Sequence, residues 1–158
     1  MNKRLVLSII GKILQVEALL LLFPTLVSLF YDEKSIWAFL ITAVLTFGIG
    51  SLITLLFKPK SEVIYAREGL ITVALAWIFM SLFGALPFYL SREIPSYIDA
   101  FFETVSGFTT TGASILRNVE ALSRGALFWR SFTHWIGGMG VLVFITAVIP
   151  NMSDRSIH

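Results

Sequence analysis

Long apolar runs separated by short polar segments dominate the chain. The apolar runs extend over about 5–30, 36–57, 69–90 and 128–150. Each can cross a bilayer as an α-helix, because a span needs about 20 mostly apolar residues. The pattern therefore predicts an all-α membrane protein, in which two leading spans are followed by a third and a fourth.

Composition supports a membrane protein and excludes several functions. Hydrophobic residues make up 56% and charged residues 14% of the 158 positions, whereas a soluble domain carries about 25% charged residues. The absence of cysteine excludes disulfides, thiolate catalysis and thiolate metal sites. The basic residues form no stripe of the kind that binds nucleic acid. No nucleophile–base pair is evident, so we expect neither an enzyme nor a bound cofactor.

Lysine and arginine at the span ends predict the orientation, since cytoplasmic loops carry an excess of both. One side carries Lys3, Arg4, Lys12, Lys58, Lys60, Arg67 and Arg155. The other, more acidic side carries Lys34, Arg92, Arg117, Arg124 and Arg130. We therefore expect a multi-pass protein of the plasma (inner) membrane with a cytoplasmic N-terminus. The first run resembles a signal peptide in its basic start, but its length favours a retained span.

Polar side chains interrupt the first apolar run at Lys12, Gln15 and Glu17. Lys12 lies close enough to the cytoplasmic end to extend its ammonium group to water. Glu17 lies nearer the middle of the span, where a charge indicates a function. Two roles remain open for Glu17: bonding to a structural partner on another helix, or a place on an ion path.

The loop at 91–127 contains a helix of about half the membrane thickness. Ser96 can cap its start, with Asp99 three residues later, and Gly107 is a natural stop. An apolar stripe of helical period follows the cap, at Ile98, Phe101, Phe102 and Val105. The helix predicted within about 96–107 has on the order of 10 residues and is about 15 Å long, which is half a hydrocarbon core. This length predicts a re-entrant helix that enters from the outside.

A threonine-rich segment at 108–114, with the sequence FTTTGAS, follows the predicted half-helix. Extended backbone at membrane depth occurs only inside protein or beside a water-filled path. Its carbonyl and hydroxyl oxygens can replace the hydration shell of a cation, and Gly112 can adopt a positive φ. The segment contains no acid, which favours a monovalent cation. The other interpretation is a threonine-rich outer turn after an interfacial helix; the order of the elements favours a pore loop.

The last predicted span begins with closely spaced glycines at Gly137, Gly138 and Gly140. Small residues let helices pack closely in membranes, and they can also leave space along a pore. We expect Arg130 and His134 to anchor this span at the outer interface. Trp129 and Trp135 are typical of the aromatic belt at the membrane surface.

These motifs together resemble a known family. The stretch FETVSGFTTTGAS at 102–114, then FWRS at 128–131 and HWIGGMG at 134–140, is similar to the first pore repeat of the TrkH/TrkG/KtrB superfamily of bacterial potassium uptake proteins. The resemblance implies a leading helix pair at 1–60 and one pore repeat at 61–158. Family members have four such repeats around one potassium pathway, so three would be absent from this chain.

The resemblance also implies an ion site and partners. The carbonyls of Thr110, Thr111, Gly112 and Ala113 would line the path, with Thr109 just inside and Gly112 as the filter glycine. Potassium, the transported substrate, would bind at Thr110, Thr111 and Gly112. Family members form homodimers that are gated by a cytoplasmic TrkA-like nucleotide-binding subunit, and a loop of the third repeat takes part in gating.

One repeat cannot enclose a pore, which leaves three functional interpretations. We expect an N-terminal fragment of a potassium uptake protein. The alternatives are a non-conducting structural or accessory membrane subunit and a self-assembling single-repeat cation channel.

Overall fold

The computed structural model describes the backbone at 2–61 and 63–153 and the side chains at 2–61 and 63–146. Arg155, which contributes to the predicted orientation, lies outside the described residues. This part of the chain is helical apart from its turns and connecting segments. The elements are α1 (Lys3–Leu20), α2 (Leu22–Phe30), α3 (Ile36–Leu56), α4 (Ala66–Gly84), α5 (Leu86–Leu90), α6 (Tyr97–Phe108), a 3₁₀ turn (Val119–Ala121) and α7 (Arg124–Ser153).

Two of the predicted spans are interrupted where a proline follows. The first run forms α1 and α2 with a break at Leu21, and the third forms α4 and α5 with a break at Ala85. A proline ring clashes with the carbonyl four residues earlier and donates no hydrogen bond. Pro24 and Pro87 stand three and two residues after these breaks. Each pair still forms one continuous apolar stretch, at Lys3–Phe30 and at Ala66–Leu90, as the sequence predicts.

Three helical stretches among the described residues are long and apolar enough to cross a membrane. They are Lys3–Phe30, Ile36–Leu56 and Ala66–Leu90. The predicted fourth span, at about 128–150, falls within α7, whose side chains from 147 onward lie outside the described residues. The 30 residues of α7 correspond to a length of about 45 Å. Its crossing of the membrane remains a prediction.

The leading helices α1 and α3 approach each other at a pair of glycines. A Cβ atom on Gly11 would lie 2.6 Å from Thr54 Oγ1 and 2.8 Å from the Gly50 carbonyl oxygen. A Cβ atom on Gly50 would lie 2.7 Å from the Gly11 carbonyl oxygen. Gln15 adds a hydrogen bond from Nε2 to Ser51 Oγ at 3.1 Å. Small residues thus bring two backbones into contact, as in other membrane helix pairs.

An aromatic core joins the half-helix α6 to three other helices. Its largest fully buried side chains are Phe39 of α3, Phe88 of α5, Phe108 of α6 and Trp129 of α7. Trp129 donates from Nε1 to the Gly84 carbonyl at 2.9 Å, which satisfies its polar atom within the core. The expectation that Trp129 lies at the membrane surface was wrong, whereas Trp135 is 59% exposed.

Candidate functional site

The half-helix α6 begins where the sequence places its cap. Ser96 has extended backbone angles, and its hydroxyl accepts a hydrogen bond from the Asp99 amide at 3.5 Å. The Tyr97 hydroxyl donates to the Leu82 carbonyl of α4 at 2.6 Å. The cap fixes the first residue of α6, and the tyrosine attaches that end to the preceding helix.

α6 ends at Phe108, and two residues later the backbone of a threonine adopts the left-handed conformation. Thr110 has φ 56°, and its amide donates to the Gly107 carbonyl at 2.9 Å. The Thr111 amide donates to the Ser106 carbonyl at 2.9 Å. These two bonds form a Schellman motif, in which glycine is the usual left-handed residue. Gly107 lies inside the helix instead, so its predicted role as the stop was wrong.

Glycines bring α6 and α7 into close contact. A Cβ atom on Gly107 would overlap the Thr133 side chain, and one on Gly137 would overlap the backbone of Phe108. A Cβ atom on Gly138 would meet only Thr110 Cγ2, at 3.9 Å. Close packing therefore explains Gly137, while Gly138 borders the threonine segment without being pressed against it.

The segment that follows α6 is exposed from Thr109 to Ile115. Gly112 has φ 78°, as its sequence position predicts. Among the described residues, no donor reaches the carbonyl oxygens of Thr109, Thr110, Thr111 or Gly112. The Ala113 carbonyl differs, because it accepts a hydrogen bond from Ser106 Oγ at 2.5 Å. The carbonyl oxygens from Thr109 to Gly112 are thus available to a ligand, whereas the next one along the chain, that of Ala113, already accepts a hydrogen bond.

A buried carboxylate on α6 holds the far end of this segment. Glu103 Oε1 accepts from Arg130 Nε at 2.7 Å, and Oε2 accepts from the Ile115 amide at 3.0 Å. Ser114 Oγ lies 3.0 Å and 3.1 Å from the two carboxylate oxygens. Arg130 is predicted to anchor the span at the outer interface; in the structure its guanidinium forms an ion pair with a carboxylate that is 1% exposed. His134 Nδ1 lies 2.9 Å from the Arg130 carbonyl oxygen.

Glu17 is buried without a hydrogen-bond partner among the described residues. Its carboxylate lies against α4 and α6, since a Cβ atom on Gly84 would lie 3.0 Å from Glu17 Oε1, Phe108 Cε2 and Thr104 Cγ2. The predicted bonded partner on another helix is therefore not found in the described part of the chain. The group has no exposed surface in this structure, whereas Lys12 is exposed.

The fold and motifs match a family of transport proteins. The family model described as TrkH, cation transport protein, matches residues 35–157. The chain belongs to the TrkH cation transport family. This family consists of membrane transporters and not of enzymes, in agreement with the sequence. The predicted resemblance to this family is therefore confirmed. Transport of potassium and other cations is confirmed as the activity of the family.

Relatives of this TrkH family member cover it almost completely. An uncharacterized cation transporter of Methanocaldococcus jannaschii is 40% identical over 91% of this chain, and the potassium uptake protein TrkG of Escherichia coli K12 is 39% identical over 93%. The crystal structure of the potassium transporter TrkH from Vibrio parahaemolyticus superposes with a TM-score of 0.88 at 32% identity over 95% of the chain. The chain spans about 30% of the length of these curated relatives.

Proposed function

We propose that this chain contributes one quarter of a potassium-selective filter to a TrkH-type uptake system in the cell membrane. The observation that supports this most is that no donor among the described residues reaches the backbone oxygens from Thr109 to Gly112, which follow a half-length helix. Bare carbonyl oxygens can take the place of water around a monovalent cation. Potassium would bind at Thr110, Thr111 and Gly112, while the Ala113 carbonyl is already engaged by Ser106.

The direction of α6 supports a cation site at the same place. The C-terminal end of a helix carries roughly half a negative charge, and α6 ends at Phe108, directly before the free oxygens. Arg130 lies near this segment, but its charge is paired with Glu103. The field at the threonine segment thus favours a cation.

The remaining features of the proposal follow from family membership. The segment at 61–158 acts as one pore repeat after a leading pair at 1–60, with α7 as the returning span and the N-terminus in the cytoplasm. Further repeats of a longer protein complete the filter, because the chain spans only about 30% of its relatives. Homodimers and a cytoplasmic TrkA-like nucleotide-binding subunit complete the system, as the resemblance implies.

The experiment uses a matched pair of glycine substitutions in the complete gene product that carries this chain. A Cβ atom on Gly112 or on Gly48 meets no atom within 4 Å, but only Gly112 has a positive φ. Gly112→Ala therefore changes the backbone preference without a clash. The host is a bacterium without potassium uptake of its own, and the measurement is the initial rate of rubidium uptake, together with the amount of protein in the membrane.

We expect Gly112→Ala to lower the uptake rate about tenfold or more, because the left-handed conformation costs an L-residue about 1–2 kcal/mol. Gly48→Ala keeps the uptake rate of the unmodified protein. Equal uptake by both variants at equal protein amounts would show that the segment is not the filter. It would then favour an accessory, non-conducting role.

A further inference from the structure

Glu103 joins three parts of the chain that are far apart in sequence. Its carboxylate binds the Arg130 side chain of α7, the Ser114 hydroxyl and the Ile115 amide. The Glu103 side chain is 1% exposed, and that of Arg130 is 19% exposed. Two of these contacts hold the residues that directly follow the free carbonyls and Ala113. The carboxylate thus anchors the exit of the threonine segment, next to the bond from Ser106 to the Ala113 carbonyl.

The chemistry of this anchor requires an ionised carboxylate. A buried anion is tolerated when an opposite charge and further hydrogen bonds compensate it. Glu103 has both, since a guanidinium, a hydroxyl and a backbone amide donate to it. An uncharged amide in its place would turn its NH₂ group toward either Arg130 or the Ile115 amide, and both of these donors need an acceptor.

The other end of the segment is fixed independently of Glu103. The Schellman motif at Thr110 attaches the entry to α6, and the Thr109 hydroxyl donates to the Val105 carbonyl at 2.7 Å. Between these ends, Thr109 Oγ1 lies 2.8 Å from Thr111 Oγ1, and Ser106 Oγ of α6 donates to the Ala113 carbonyl. A short segment fixed at both ends has little freedom to change the spacing of its carbonyl oxygens.

We propose that Glu103 and Arg130 are positioning residues that set the carbonyl spacing of this quarter-filter, and through it the preference for potassium over sodium. This inference rests on the proposed function. Neither residue contacts the ion: Glu103 is enclosed and its charge is paired with that of Arg130. A loosened exit anchor lets the carbonyls close around a smaller cation, so discrimination falls before transport does.

The test measures how strongly potassium and sodium each inhibit rubidium uptake by the complete gene product. Glu103→Gln removes the charge at nearly constant shape, Arg130→Lys keeps the charge but removes the Nε donor, and Ser114→Ala removes one donor at an exposed position. Glu120→Gln is the matched control, because Glu120 is an exposed acid in the same outer loop and its side chain makes no described hydrogen bond.

We expect Glu103→Gln to lower the ratio of potassium to sodium affinity about tenfold, since a hydrogen bond to a charged group is worth about this factor. Arg130→Lys should lower the ratio less and Ser114→Ala least, while Glu120→Gln leaves it unchanged. The apparent KM for potassium should rise more than the maximal rate falls. Ser114→Ala remains informative if the two variants of the buried pair do not reach the membrane.

The positioning role is wrong if the variants lower the protein amount or the maximal rate while the potassium-to-sodium ratio stays constant. That outcome, combined with loss of uptake in Gly112→Ala, would leave the filter assignment intact. If Gly112→Ala transports normally, the proposed function itself fails, whatever the ratio shows. The two failures are therefore distinguishable.

Discussion

α6 is packed differently on two adjacent faces, and each face meets a buried carboxylate. Toward α7, Glu103 and Gly107 lie one turn apart, and Glu103 receives three donors, one from α7 and two from the segment that follows α6. Toward α4 and α1, Thr104 and Phe108 lie against Gly84 and Glu17, and no described donor reaches the Glu17 carboxylate. The same functional group is thus an anchor in one region and a packing group in the other.

The comparison teaches that burial alone does not assign a role to a membrane carboxylate. The sequence draws attention to Glu17, because an acid within an apolar run indicates a function. In the structure, the hydrogen bonds are made by Glu103 instead, an acid of the half-helix α6 that lies outside the predicted full-length spans. The partners of a buried acid, and not its depth, determine what its removal does.

The largest effect is expected from Glu103→Leu. Removing one member of a buried pair leaves Arg130 without its acceptor, which costs about 3–5 kcal/mol. The apparent melting temperature in detergent should fall strongly, and much of the protein should be lost from the membrane. A melting temperature equal to that of the unmodified protein would mean that Glu103, like Glu17, is not an anchor of the fold.

A smaller loss of stability is expected from Gly137→Ala, which tests the close contact of α7 with the end of α6. The added methyl group would overlap the Phe108 carbonyl, and overpacking of this kind costs about 1–3 kcal/mol. Gly138→Ala is the control, because its methyl group would meet only Thr110 Cγ2 at 3.9 Å. Equal melting temperatures for the two variants would mean that α7 does not approach α6 as described.

A gain in stability is expected from Thr110→Gly. Glycine adopts the left-handed conformation without the cost of about 1–2 kcal/mol that an L-residue has, but its unfolded chain is more flexible. The net gain should be about 0.5 kcal/mol, measured as a higher melting temperature. Thr109→Gly, at φ −82°, should lose stability instead, since it also loses the bond to Val105. The opposite order would argue against the left-handed end of α6.

The smallest effect is expected from Glu17→Met. Replacing an unbonded buried polar group by an apolar one of similar shape is nearly neutral, so the melting temperature should stay the same or rise slightly. A marked loss, comparable to that of Glu103→Leu, would reveal a partner for Glu17 outside the described residues. The buried acids on the two faces of α6 would then both act as anchors.

Local signals in the sequence predict the helices well and the contacts between them poorly. Apolar runs, the Ser96 cap and the positive φ of Gly112 depend on neighbours along the chain, and they appear where expected. The pair of Glu103 and Arg130 and the burial of Trp129 depend on residues 27 and 45 positions away. No local pattern encodes such contacts.

The end of α6 shows a different limit. Gly107 fits the usual helix stop, yet the left-handed position is filled by Thr110, a β-branched residue that resists this conformation. Strain of this kind occurs where surrounding structure enforces it, often at functional sites. Propensity alone therefore points to the wrong residue, and the bonds of Thr110 and Thr111 to α6 decide the outcome.

The most direct test of the central claim locates the transported ion in the complete protein. A structure determined with rubidium or thallium, whose anomalous scattering marks the ion, should show density beside the carbonyl oxygens of Thr110, Thr111 and Gly112. Replacement of rubidium by sodium should weaken this density. Ion density that lies elsewhere along the pathway, with none at this segment, would contradict the assignment of the threonine segment as a filter.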